Sequence, residues 1–137
     1  MLINLIKVGL KYKKLLFKSI FYLISGGTLG VLLRLYLIRK MHFKLGLALN
    51  NTSIINIISS FLVGIYIAFD FTGKNTSLFF LTGFLGCFST FSSFIIHLFT
   101  LVKQEKYKQF LNYYIEVIIY SILLFSVGYF STQHIFN

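Results

Sequence analysis

Acid is almost missing from this chain. Asp and Glu supply 3 of 137 residues, against 13 Lys and Arg. Asp70, Glu105 and Glu116 stand singly, so there is no paired carboxylate for general acid–base work. A single cysteine, Cys87, excludes an intrachain disulfide, and the burial expected of it in an apolar run speaks against a redox or metal role. Proline and tryptophan are absent. No nucleophilic triad, phosphate loop or metal-ligand cluster is present, so nothing points to chemistry on a substrate and the chain reads as a non-enzyme.

What is present is apolar length. Hydrophobic residues make up 57% of the chain and charged residues 12%. Runs with little or no charge cover Ser19–Ile38, Leu45–Phe69, Asn75–Val102 and Gln109–Phe130. Each can supply the roughly 20 residues that a membrane helix needs. Four such helices and short connections use the whole length and leave no soluble domain. The expected fold is an all-α, multi-pass membrane protein with four transmembrane helices.

Two units follow. Residues 1–18 carry Lys7, Lys11, Lys13, Lys14 and Lys18 among Leu, Ile, Phe and Val, without a small-residue cleavage site. They read as a basic amphipathic helix on the anionic cytoplasmic surface rather than as a signal peptide. Residues 19–137 form the four-helix transmembrane domain. The net charge of +10 does not call for nucleic acid, because the charges flank hydrophobic spans. The N-terminus and Lys74 place six cations on one side. Arg39, Lys40, Lys44, Lys103, Lys106 and Lys108 place six on the other, or seven with Arg34. The positive-inside rule thus returns no preferred orientation. That balance suits a protein that inserts both ways and pairs head to tail with itself.

The third run holds the most unusual stretch, Gly83 to Phe94, read Gly-Phe-Leu-Gly-Cys-Phe-Ser-Thr-Phe-Ser-Ser-Phe. Two glycines, four hydroxyl residues and four phenylalanines fall where the membrane would be deepest. Irregular backbone at that depth is tolerated only where it is buried in protein or lines a cavity. The stretch reads as a broken helix built around something polar.

The other runs add candidates. Gly26, Gly30 and Arg34 are four apart and share a helix face, which suits close backbone packing. Arg34 can snorkel, cap carbonyls or attract anions in a vestibule. Thr52, Asn56 and Ser60 form a polar stripe with Ser59 beside it, serving either a water-accessible path or interhelical hydrogen bonds. Phe91 and Phe94 are either core or lipid contacts, or ring edges offered to a small anion. His97 reads as an interface residue. The fourth run adds Tyr113, Ser121 and Gly128, with Glu116 expected at headgroup depth.

Three motifs in order carry a resemblance. They are Gly26-Gly27-Thr28-Leu29-Gly30-Val31-Leu32-Leu33-Arg34; Thr52 and Asn56 followed by Ser60-Phe61-Leu62-Val63-Gly64; and Gly83 to Phe94. On these the chain resembles the CrcB/Fluc family of fluoride ion channels over residues 20–130. The resemblance implies an antiparallel dual-topology homodimer with two narrow pores at the subunit interface, exporting fluoride trapped in the cell after entry as HF. It places Asn56, Phe91 and Phe94 on the fluoride pathway, with Thr52, Tyr113 and Ser121 as polar pore-side groups. It also implies a structural Na⁺ at the dimer centre, held by the backbone carbonyls of Gly86 and Ser89.

The chain departs from the family pattern at Cys87, Ser89, Ser59, Asn51, His97 and Val117, which keeps a paralogue heterodimer open. The runner-up function is a small dual-topology efflux transporter. That chemistry needs a membrane-embedded carboxylate, which the first three runs lack. A structural subunit of a larger complex explains the glycines but not the polar stripe. The expected partners are fluoride, the bilayer and a second copy, with no nucleic acid.

Overall fold

The computed structural model describes residues 2–40, 50–69 and 73–136, with side chains from Tyr12 onward; Lys44 of the charge count lies outside them. Helix α1 spans Leu2–Lys40 and α2 spans Asn51–Ala68. The third span begins with α3, residues 74–88. It starts as the turn Lys74–Thr76, widens to π geometry over Ser77–Leu85 and closes with the turn Gly86–Phe88. Helix α4 (Phe91–Lys103) completes that span, and α5 is Tyr107–Phe136. Among the described residues, four stretches are long and apolar enough to cross a membrane: Tyr12–Lys40, Asn51–Ala68, Lys74–Lys103 and Tyr107–Phe136. The expected all-α fold, with four helices of membrane-spanning length and apolarity, is therefore found among the described residues. Helix α1 is longer than its apolar run, because the basic segment and the first span share one unbroken helix.

Glycine decides how the helices cross. A Cβ at Gly30 would collide with the Phe84 carbonyl, and one at Gly26 with the Phe79 carbonyl, so α1 and α3 run parallel in backbone contact. The second crossing joins α2 to α5. Gly64 lies against the Phe125 carbonyl, and Gly128 against the Phe61 carbonyl at 2.5 Å from an added Cβ. Small residues let backbones approach this closely, and van der Waals packing then holds helices that gain nothing from hydrophobic exclusion in lipid. The two parallel pairs run in opposite directions, as α2 and α4 show by pairing Asn50 with His97 and Asn56 with Thr90.

The interior is two clusters. Ile55, Leu85 and Phe88 pack between α2 and α3, while Phe94, Leu98, Leu101, Tyr113 and Val117 pack between α4 and α5. In α3 the wide turn brings residues four apart into stacking range, giving a ladder of rings. Tyr66 stacks on Phe80 at 5.4 Å, Phe80 on Phe84 at 5.4 Å and Phe84 on Phe88 at 5.6 Å.

The α4–α5 turn is a Schellman cap. Lys106 N–H donates to the Leu101 carbonyl at 3.0 Å, and Glu105 N–H to Val102 at 2.9 Å. The left-handed position, normally glycine, is held by Glu105 at φ 58°.

Candidate functional site

Helical backbone conformation stops at Phe88. Ser89 (φ −83°, ψ 150°) and Thr90 (φ −143°, ψ 111°) are extended, and the helix resumes at Phe91. Backbone that leaves a helix inside a bilayer must find other partners. The Ser89 N–H still reaches the Leu85 carbonyl at 3.0 Å, and its hydroxyl donates to the same oxygen at 3.1 Å. Thr90 is held by a side chain. Its N–H donates to Asn56 Oδ1 at 2.9 Å, and Asn56 Nδ2 donates to its carbonyl at 3.2 Å. In a continuing helix the Thr90 N–H would bond Gly86, so this exchange leaves the Gly86 carbonyl without its helical donor. Gly86 is exposed, and a Cβ there would meet only the Leu81 carbonyl, at 3.9 Å.

Beside this segment lies a groove of about 620 Å³ running between α2, α4 and α5. Its polar lining is Asn56, Ser59, Ser60, Ser89, Thr90 and Ser121; its aromatic lining is Phe91, Phe94, Tyr114 and Phe125. The lining carries no charged residue. The rings of Phe91 and Phe94 stand 6.0 Å apart at 42°, the first 74% exposed and the second 9%. Asn56 has one Nδ2 hydrogen left after the Thr90 pairing, and it is the strongest donor in the lining.

The structure thus brings Asn56, Phe91, Phe94, Ser121 and Ser89 to one groove, and sets the other candidates elsewhere. Tyr113 is fully buried behind it, its hydroxyl hydrogen-bonded to Ser53 and its ring stacked on Phe94 at 5.7 Å. The His97 ring meets Tyr113 edge-on at 4.5 Å and reaches Asn50 at 2.9 Å. Thr52 is half-buried on α2 and is not part of the groove lining. Arg34 donates from Nη2 to Ser93 Oγ at 2.7 Å, tying α1 to the first turn of α4.

One expectation changes. Cys87 is exposed rather than buried, because the last turn of α3 turns it to the outer side of the α1–α3 pair, where Gly27 is its glycine neighbour. Glu116 is one turn beyond Tyr113 as Asn56 is one turn beyond Ser53, and Ser53 bonds Tyr113, so Glu116 and Asn56 are level along the bundle. Among the described residues the buried Oε2 of Glu116 has no hydrogen-bond partner. Sequence reasoning missed Thr90, Ser53, Tyr114 and Ser93. Thr90 and Ser93 carried a signal, as hydroxyl residues within the irregular stretch.

Comparison with known proteins matches residues 21–129 to the family described as CrcB-like protein, Camphor Resistance (CrcB). The chain is 42% identical over 115 residues to "Fluoride-specific ion channel FluC 2" of Prochlorococcus marinus strain MIT 9312, covering 84% of this chain and 94% of that one. It is 33% identical over 126 residues to "Fluoride-specific ion channel FluC 1" of Staphylococcus aureus strain Mu50, covering 86% and 84%. A Clostridium acetobutylicum FluC 2 is 43% identical over 82 residues, covering 60% and 69%.

Proposed function

The chain belongs to the CrcB family, and we propose that it is a fluoride-specific channel, not an enzyme, that lets cytoplasmic fluoride leave through the cell membrane down its electrochemical gradient. The observation that carries this reading is the groove. An amide donor, hydroxyls and the rings of Phe91 and Phe94 line it without a fixed charge. Fluoride is small and strongly hydrated, so dehydration dominates the cost of entering a narrow path. A hydrogen bond to a charged group offsets about 1.5–3 kcal/mol of it. Ring edges attract an anion without binding it tightly, and conduction needs release as much as entry.

In this proposal two chains pair antiparallel, and each groove closes against the other chain into a pore. The reading is supported by the balanced charge count and by Phe91, which is largely exposed at the groove. The third span is then the broken helix, placed at the dimer centre. The carbonyls of Gly86 and Ser89 are hard oxygen donors suited to Na⁺, and the freed Gly86 carbonyl with its open face fits that use. A cation there would supply the coordination that replaces missing helical hydrogen bonds. Among the described residues no three His, Cys, Asp or Glu side chains gather, so backbone and hydroxyl oxygens are the donors on offer.

The test is ion efflux from liposomes reconstituted with the purified chain, fluoride against chloride. Fast fluoride efflux with negligible chloride efflux is expected. Equal rates, or none for fluoride, would overturn the proposal.

A further inference from the structure

The channel reading leaves the N-terminal part of α1 unused. Gly83 lies against the Leu23 carbonyl and the Gly27 nitrogen of α1, with the two helices parallel. Nine residues before Gly83 stands Lys74, where α3 begins, and the same climb along α1 arrives between Lys14 and Lys18. Helices α2 and α5 finish at this end too, with Phe69 against Phe136 at 4.6 Å. Helix α1 does not stop there but continues to Leu2. It overhangs the bundle by 12 to 16 residues, or about 18–24 Å at 1.5 Å per residue.

The overhang has one basic stripe. Lys7, Lys11, Lys14 and Lys18 follow at helical spacing of four, three and four residues, and residues 1–18 contain no acid. Lys14 and Lys18 are exposed, and Lys18 Nζ sits 5.9 Å over the Tyr22 ring. Continued down the helix, the same stripe runs through Leu29, Leu32 and Tyr36, which are 52%, 58% and 55% exposed. That is the side of α1 turned away from the glycines that meet α3. Lys14 and Lys18 therefore stand above this exposed side of the span. Other faces of the overhang carry Leu15, Leu16 and Phe17, also exposed.

We infer that this overhang is a binding site for anionic phospholipid, in which α1 leans onto the leaflet it leaves and sets its lysine stripe on headgroup phosphates. The charge is complementary, the stripe is continuous with the lipid-facing surface, and the flanking leucines and phenylalanine gain an apolar boundary to enter. Lys14 and Lys18 reach the headgroups at the level of Lys74. Lys11 lies about 5 Å beyond Lys14 along the helix axis, within the reach of a charged surface at moderate salt.

The test is tryptic cleavage after Lys13 in the full chain, held in nanodiscs that expose both membrane faces. One set contains phosphatidylcholine alone, and the other an equal mixture with phosphatidylglycerol. A second protein carries K7Q, K11Q, K14Q and K18Q together, keeping Lys13 as the cleavage site. The expected result is cleavage slower by about tenfold or more in the anionic discs at low salt, since each lysine at such a surface is worth about fivefold. High salt should restore it, and the fourfold variant should be cut equally in both discs. Equal cleavage of the natural sequence in both would overturn the inference. So would slow cleavage in both, which would mean that another protein segment covers the helix.

Discussion

Asn56 and Thr90 exchange two hydrogen bonds, side chain to backbone, across α2 and the extended residues between α3 and α4. The carboxamide satisfies both backbone groups of a residue that has left the helix, as a neighbouring strand would. The proposed fluoride donor is thus also the clamp on the irregular segment. Asn56→Asp keeps an acceptor for the Thr90 N–H but sets a carboxylate against the Thr90 carbonyl and into the groove. Fluoride efflux from liposomes should be abolished, and thermal unfolding should show a loss of about 1–3 kcal/mol. A variant with full stability and full flux would refute both roles.

The two phenylalanines should separate flux from stability. Phe94 is buried against Tyr113, so Phe94→Ile should cut fluoride efflux sharply and lower stability by about 1–2 kcal/mol. Phe91 is exposed, so Phe91→Ile should lower efflux more mildly and leave the unfolding temperature unmoved. Unchanged efflux in both variants would make the rings packing alone.

Orientation should respond to charge. Two or three lysines added on one side of the membrane should bias insertion. A biased variant alone should lose efflux, and mixing it with an oppositely biased one should restore it. Full activity in a population of single orientation, read by cysteine accessibility from each side, would end the antiparallel proposal.

Glu116 separates a channel from a proton-coupled carrier. Its carboxylate lies level with Asn56 but outside the groove lining. An exchanger would need that proton site. Glu116→Gln should therefore leave fluoride efflux at neutral pH unchanged, whereas a loss of transport with intact folding would favour the carrier.

Glu105 should be improvable. A non-glycine residue in the left-handed region costs about 1–2 kcal/mol. Glu105→Gly should raise stability by about 1 kcal/mol, read by thermal unfolding in detergent, with efflux unaffected. Glu105→Ala, which retains a Cβ, should bring no such gain.

The spans were readable because about twenty residues without charge suit a bilayer and little else. The glycine positions were readable for a similar reason, since Gly26 and Gly30 share a face at any helix rotation. The irregular stretch was placed by its glycine and hydroxyl content, and the extended Ser89 and Thr90 fall inside it. What failed was rotation about the helix axis. Tyr113 and Tyr114 differ by one residue, yet one is buried on Ser53 and the other lines the groove. Periodicity cannot fix that choice, because it depends on which helix each face meets. The same limit hid Cys87's exposure. The partner of Asn56 was hidden for another reason: a backbone group has no signature in sequence.

Both glycine crossings lie within one polypeptide, α1 on α3 and α2 on α5. Each chain can therefore zip up alone, during or just after synthesis, without waiting for a neighbour. Once Gly30 has seated on Phe84 and Gly64 on Phe125, reversing the chain in the bilayer would mean pulling apart both crossings and dragging lysines through oil. On the antiparallel proposal, direction would then be settled once per molecule, at birth, and chains would meet afterwards as finished pieces.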